Sequence, residues 1–190
     1  MPHHTAIIQT SAPHIQWHLH GLHTQSNDNV YYLLSCLDAY LYEMLILESF
    51  QAGLSWECVL NKRENFRKAY DYFDLDIVCS YDTEKIHTLL DNPGIIRNKL
   101  KINASITNSR IFKDIIKEFG SFYNYLKTFT NGKILYETDQ TTNTLSDTVS
   151  KDLKKRGMKF VGSTIIYSYL QAIGIICSHD PECYLHKESL

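Results

Sequence analysis

The sequence predicts an all-α domain of about eight helices. Three observations point there: apolar residues recur at helical spacing along most of the chain, strand-like alternation is scarce, and capping residues alternate with glycine or proline terminators. In chain order, Leu37, Tyr40, Leu41, Met44 and Leu45 share one face of a first helix that ends near Gly53. Ser55 caps the next stretch, in which Val59, Leu60, Phe66, Ala69, Tyr70 and Phe73 recur. Asp82 opens a segment carrying Ile86, Leu89 and Leu90, stopped by Pro93-Gly94. Residues 98–119 form one longer helix with Ile102, Ile106, Ile115, Ile116 and Phe119 inward, ended by Gly120. Ser121 caps Phe122, Tyr125, Leu126 and Phe129, closed by Asn131-Gly132; Ser146 caps Val149 and Leu153, closed by Gly157. Asn131-Gly132 also suits a hairpin whose return strand uses Ile134, Leu135 and Tyr136, so residues 133–138 stay open between the two. Residues 138–144 are polar and aperiodic, as an exposed loop is.

With 190 residues, 44% apolar, 21% charged and 12% aromatic, the chain fits one compact domain and excludes disordered, collagen-like and fibrous classes. No apolar run reaches the roughly 18 residues of a membrane span, and the N-terminus lacks a signal peptide's basic start and apolar core, so a soluble cytoplasmic protein is expected. Five cysteines at irregular spacing (Cys36, Cys58, Cys79, Cys177, Cys183) read as reduced thiols, with Cys58, Cys79 and Cys177 in the core. His87 and His186 are expected on the surface. The net charge of −2 conceals an asymmetry: no lysine or arginine precedes Lys62, whereas Asp28, Asp38, Glu43, Glu48 and Glu57 do. A basic surplus in the remainder permits nucleic-acid binding without demanding it. Residues 1–30 hold six of the nine histidines (His3, His4, His14, His18, His20, His23) and read as a divergent, loosely ordered lead-in to a domain over 31–190.

Three places carry chemistry. Residues 153–164 (LKKRGMKFVGST) read as a helix, a glycine-bounded turn and a second helix opening at Gly162, which is a helix-hairpin-helix signal. Gly157 lets backbone approach a phosphate, free N–H groups of Gly162, Ser163 and Thr164 at a helix start bind the anion, and Lys154, Lys155, Arg156 and Lys159 supply positive charge. The same pattern also fits an ordinary turn with a solvated basic end. Glu48, at the end of an apolar run and close to Trp56, is either a solvent-facing helical position or a carboxylate at the mouth of an apolar pocket. Trp56 is correspondingly a core aromatic or a stacking platform. His179 and Cys183, three residues apart, have a spacing that suits zinc but need further ligands, and the histidine-rich N-terminus could supply them.

Residues 41–56 (LYEMLILESFQAGLSW), 94–102 (GIIRNKLKI) and 153–164, continuing through Tyr167-Ser168 and Gln171-Ala172, together resemble the 3-methyladenine DNA glycosylase I family. Residues 59–67 (VLNKRENFR) and Phe73-Asp74 extend the likeness to roughly 36–183. The resemblance implies a helix-hairpin-helix DNA glycosylase fold and excision of 3-methyladenine from alkylated double-stranded DNA, leaving an abasic site. It places the family's pocket glutamate on Glu48 and its stacking tryptophan on Trp56. Glu48 would recognise the base edge and stabilise positive charge, Trp56 would stack on the base, and residues 153–164 would hold phosphate.

Departures cluster near the N-terminus. The family carries an Arg-Cys-x-Trp stretch and then Tyr-His-Asp-x-Glu-Trp-Gly, which supply two zinc ligands and several pocket aromatics. An ungapped alignment sets the second stretch on residues 26–32 (SNDNVYY), so Ser26 and Asn27 replace the tyrosine and ligand histidine, Tyr31 stands in place of the tryptophan as a base-contacting aromatic, and His14 falls on the ligand cysteine. A gapped alternative puts Trp17-His18 on the family's Tyr-His pair. His179 and Cys183 match the other two ligands, Ser178 replacing an acid before them, so the expected structural zinc takes His14, His179 and Cys183, with one of His18, His20 or His23 completing a tetrahedron. The leading expectation is a monomeric repair glycosylase. The rival is a catalytically impaired homologue that binds DNA or damaged bases, motivated by Ser26 and Asn27. A metal-responsive helical protein is a third possibility, which ignores the hairpin.

Overall fold

The structure, a computed structural model, describes residues 27–178, with the side chains of residues 27–33 and of Trp56 outside the description. Among the described residues there are nine α-helices and two short strands. They are α1 (Asn27–Gln51), α2 (Trp56–Leu60), α3 (Arg63–Ala69), α4 (Leu75–Cys79), α5 (Thr83–Asp91), α6 (Lys99–Phe119), α7 (Phe122–Thr130), β1 (Leu135–Tyr136), α8 (Thr144–Lys155), α9 (Ser163–Ala172) and β2 (Ile176–Cys177). None of these helices is long and apolar enough to cross a membrane.

Helix α1 runs through the middle of the domain, with α6, α7, α9 and the short helix α2 packed around it. Every residue from 41 to 50 is buried, so this stretch of the helix is covered on all sides rather than on the single face that the spacing of Leu37, Tyr40, Leu41, Met44 and Leu45 suggests. Around it the aromatics form two clusters. Phe50, Phe66, Tyr70 and Phe73 meet in one, Phe112 and Phe122 stack at 4.0 Å between centroids in the other, and Tyr42 joins them through Phe73 and Phe112. Three of the buried tyrosines place their hydroxyls on partners, which offsets the cost of burying them. Tyr42 Oη lies 2.6 Å from Ser109 Oγ, Tyr70 Oη lies 3.0 Å from Ser105 Oγ, and Tyr169 Oη donates to the Leu41 carbonyl.

Caps set most helix boundaries. Ser55, Asp82 and Ser121 accept backbone N–H groups at the starts of α2, α5 and α7, as their sequence positions suggest. Asp38 reaches across from α1 to accept from Phe122 and Tyr123 N–H as well, and burial pushes its carboxyl up to about 6. At α8 the cap is Asn143 instead of Ser146. Ser146 sits three residues inside, returning the bond in a capping box, so the helix starts earlier than the serine implies. Asn131 adopts φ +51 and closes α7; no hairpin forms there. Residues 135–136 do form a strand, but it pairs in parallel with β2, whose partner residues lie some forty positions further on. Cys58, Cys79 and Cys177 are half-buried rather than core, and His87 is exposed.

Between α3 and α4, Asp71, Tyr72 and Phe73 take φ of 50, 55 and 57°, a left-handed turn made without glycine. Tyr81 Oη and Lys85 Nζ hold the Asp71 carboxylate there, at 2.6 and 2.8 Å. Tyr72 is 72% exposed and has little packing to lose. Tyr72→Gly is therefore expected to raise the unfolding free energy by about 0.5–1 kcal/mol in urea denaturation, relief of strain outweighing the added freedom of the unfolded chain.

Candidate active site

Glu48 lies in the last turn of α1, fully buried among Leu45, Ile46, Leu47 and Phe50. Neither of its carboxyl oxygens has a hydrogen-bond partner among the described residues. Burial alone pushes the carboxyl up to about 8, so at neutral pH it is largely protonated. One turn on, the buried Oε1 of Gln51 is also without a partner. Residues three apart share a helix face, so two bare acceptors sit side by side. Orphaned buried acceptors are costly unless a ligand supplies the missing donors. Gln51 lies within the 41–56 stretch, but nothing singled it out, since a glutamine at a helix end is unremarkable.

Directly after α1, Gly53 at φ +79 turns the chain back on itself, and Ser55 caps α2, whose first residue is Trp56. Trp56 is thus eight residues beyond Glu48 across a tight turn, while its side chain is outside the description. Tyr31 lies in α1, with its side chain likewise outside the description. The expected metal ligands His14, His179 and Cys183, and also His186, lie outside the described residues. Among the described residues no cluster of three or more His, Cys, Asp or Glu could hold a metal ion.

The second feature is the turn joining α8 to α9. Helix α8 ends at Lys155 with Arg156 as its C-cap, and Gly157 follows at φ +103, where a side chain would be strained. Met158 and Val161 plug the turn into the core. Asn108, on α6, clasps the backbone of Lys159 at both ends: its Oδ1 accepts from Lys159 N–H at 2.9 Å and its Nδ2 donates to Lys159 O at 2.8 Å. Ser150 Oγ donates to the Val161 carbonyl at 2.7 Å. The turn is therefore rigid before anything binds it. Gly162 opens α9 in an extended conformation with no side chain capping the helix start, which leaves its first N–H groups without a side-chain partner. Lys154, Lys155, Lys159 and Thr164 are exposed around it.

Two of the sequence-identified basic-turn residues have internal duties. Ser163 Oγ donates to Asp147 and lies 2.9 Å from Ser146 Oγ. The Arg156 guanidinium bonds Glu118 at 2.6 and 3.2 Å and Asp152 at 2.8 Å, with the rings of Phe119 and Tyr125 5.4 Å away. These partners hold its proton more firmly than usual and its fork is filled.

A buried unpartnered carboxyl before a tight turn and a rigid basic turn with an uncapped helix start thus occur in one domain. Residues 26–186 match the family model described as methyladenine glycosylase. The chain belongs to that family. DNA-3-methyladenine glycosylase 1 of Escherichia coli (strain K12) is 41% identical over 150 residues, spanning 75% of this chain and 80% of that relative. The DNA-3-methyladenine glycosylase of Haemophilus influenzae is 33% identical over 149 residues, with the same shares covered. Among solved structures, 3-methyladenine DNA glycosylase I from Staphylococcus aureus, described for its recognition of 3-methyladenine, superposes with a TM-score of 0.74 at 30% identity, covering 77% of this chain and 81% of that one. The all-α architecture expected from the sequence is thus the fold of these solved relatives, and within it Glu48 is a fully buried carboxyl with no partner among the described residues.

Proposed function

We propose that the protein is a DNA repair glycosylase that flips an alkylated adenine out of duplex DNA and hydrolyses its N-glycosidic bond, releasing 3-methyladenine and leaving an abasic site. The observation that carries this reading is the fully buried, unpartnered carboxyl of Glu48. An adenine alkylated at N3 is cationic within DNA and already a good leaving group, so little acid catalysis is required. A carboxylate in an apolar pocket recognises such a base by accepting from its amino edge, and it stabilises positive charge that grows on the sugar as the bond breaks. The C1′–N9 electron pair leaves with the base, water adds its oxygen to C1′, and the water's proton passes to solvent. Trp56 and Tyr31 stack against the base.

The α8–α9 turn is read as a helix-hairpin-helix motif holding the DNA backbone. Gly157, Gly162, Ser163 and Thr164 offer backbone N–H groups, Lys154, Lys155 and Lys159 offer charge, and Arg156 braces the turn from within. The protein acts as a monomer in the cytoplasm. A structural zinc would be held by His14, His179 and Cys183 with one further N-terminal histidine, and the donor set, imidazole with thiolate, is one that tetrahedral zinc accepts. Elemental analysis is then expected to find roughly one zinc per chain, and a strong chelator to lower the melting temperature. A metal-free preparation of the same stability would remove zinc from the account.

The deciding experiment measures 3-methyladenine released from methylated duplex DNA by the purified chain. Release above the spontaneous rate supports excision. Folded protein that binds the duplex but releases nothing would replace the enzyme with a binder, and the altered N-terminal aromatics would be the first cause to examine.

A further inference from the structure

Lys101 lies in the first turn of α6 and is only 7% exposed, a position lysine rarely takes without partners. Its ammonium donates to the carbonyl of Phe50 at 2.8 Å and to that of Ala52 at 2.5 Å, which closes the C-terminal end of α1. On its other side is the ring of Phe160, 5.9 Å from the ammonium to the centroid. Phe160 belongs to the α8–α9 turn, next to the Lys159 backbone that Asn108 clasps from the same helix α6, and it holds a left-handed φ of +56. One side chain therefore touches both halves of the site. Glu48 precedes the first carbonyl by two residues, and Trp56 follows the second by four.

We propose that Lys101 is a positioning residue for base excision, fixing the distance between the base pocket at the end of α1 and the turn that grips the phosphate backbone. The inference rests on the excision reading given above. A flipped nucleotide is tethered through its sugar to the gripped backbone, so its base reaches Glu48 at productive depth only while that distance is held. Lys101 acts here through geometry and not through its charge on Glu48, whose carboxyl is shifted by burial alone. Free 3-methyladenine carries no tether and needs only the pocket, while undamaged duplex needs only the turn. Neither is expected to depend on the spacing between them.

The test uses the full chain and its Lys101→Met, Lys101→Arg and Phe160→Leu variants. Three quantities are read for each: single-turnover release of 3-methyladenine from methylated duplex, affinity for the free base, and affinity for undamaged duplex. Lys101→Met is expected to slow release by about 10- to 100-fold with both affinities within about threefold of wild type. Lys101→Arg, still able to donate to two carbonyls, is expected to recover most of the rate. Phe160→Leu is expected to show a smaller loss in the same pattern, and it carries the test if the methionine variant does not fold. Unchanged release in the variants, or free-base affinity falling in parallel with release, would overturn the positioning role while leaving excision intact. Absence of release by the wild-type chain would overturn the excision reading and this inference with it.

Discussion

Glu48→Gln is expected to slow release of 3-methyladenine on the order of 100-fold while making the folded protein more stable at pH 8. The two halves of this result come from one fact, the burial of a carboxyl with no partner. Glutamine keeps the shape and hydrogen-bonding oxygen but cannot become negative, so it no longer opposes the positive charge on base and sugar. For stability the sign follows from the raised value in the folded state. Folded Glu48 holds its proton up to about 8, against 4.5 as the ordinary value, so between those limits the folded state binds one more proton than the unfolded state. Stability then falls as pH rises through that window, with a total cost on the order of 5 kcal/mol. Glutamine removes the fall. Asp38, whose carboxyl is also pushed up by burial, contributes equally to both proteins and cancels in the comparison. Urea melts of the two proteins at pH 4.5 and pH 8 check this: near-equal midpoints at the lower pH and a clear gap favouring glutamine at the higher one. A variant destabilised at both would mean that the carboxyl is structurally engaged.

The second expected result is a pH profile. Where DNA is well below saturation, the rate of excision is expected to rise about tenfold per pH unit below pH 8 and to level off above it. The free protein must lose the Glu48 proton before the carboxylate can face a cationic base, and the fraction ionised grows in that way until the group is fully charged. In the Glu48→Gln variant the rise is expected to vanish, leaving a low, flat profile. Measurement of single-turnover release from pH 5.5 to 9 on one methylated duplex distinguishes the two. A wild-type profile that is flat across the range would show that ionisation of Glu48 does not limit the reaction.

Much of this architecture was legible from local signals. Ser55, Asp82, Ser121 and the Gly157 turn act where they stand, because a cap or a left-handed residue needs only its immediate neighbours. What escaped the sequence depends on distant partners. The strand at Leu135–Tyr136 was legible only as half of a local hairpin, since its actual partner is remote along the chain. All-round burial of residues 41–50 cannot be read from periodicity when acidic residues interrupt it, so Glu48 stayed ambiguous until packing was seen. Arg156 looked like its lysine neighbours, yet Glu118 and Asp152 engage it. Lys101 falls within the 94–102 stretch that carries the family resemblance, but its role was not legible there, because a lysine at a helix start reads as solvated.

The burial of residues 41–50 of α1 on every side has a consequence for how this protein opens. Backbone amides in residues 44–50 have no exposed face from which to fray, so their hydrogen exchange is expected to require unfolding of the whole domain. The carboxyl proposed to meet the damaged base is therefore mounted in the segment that opens last. Fluctuations that admit a nucleotide must come from the surrounding turns, and partial unfolding that reaches Glu48 is the same event as loss of the fold.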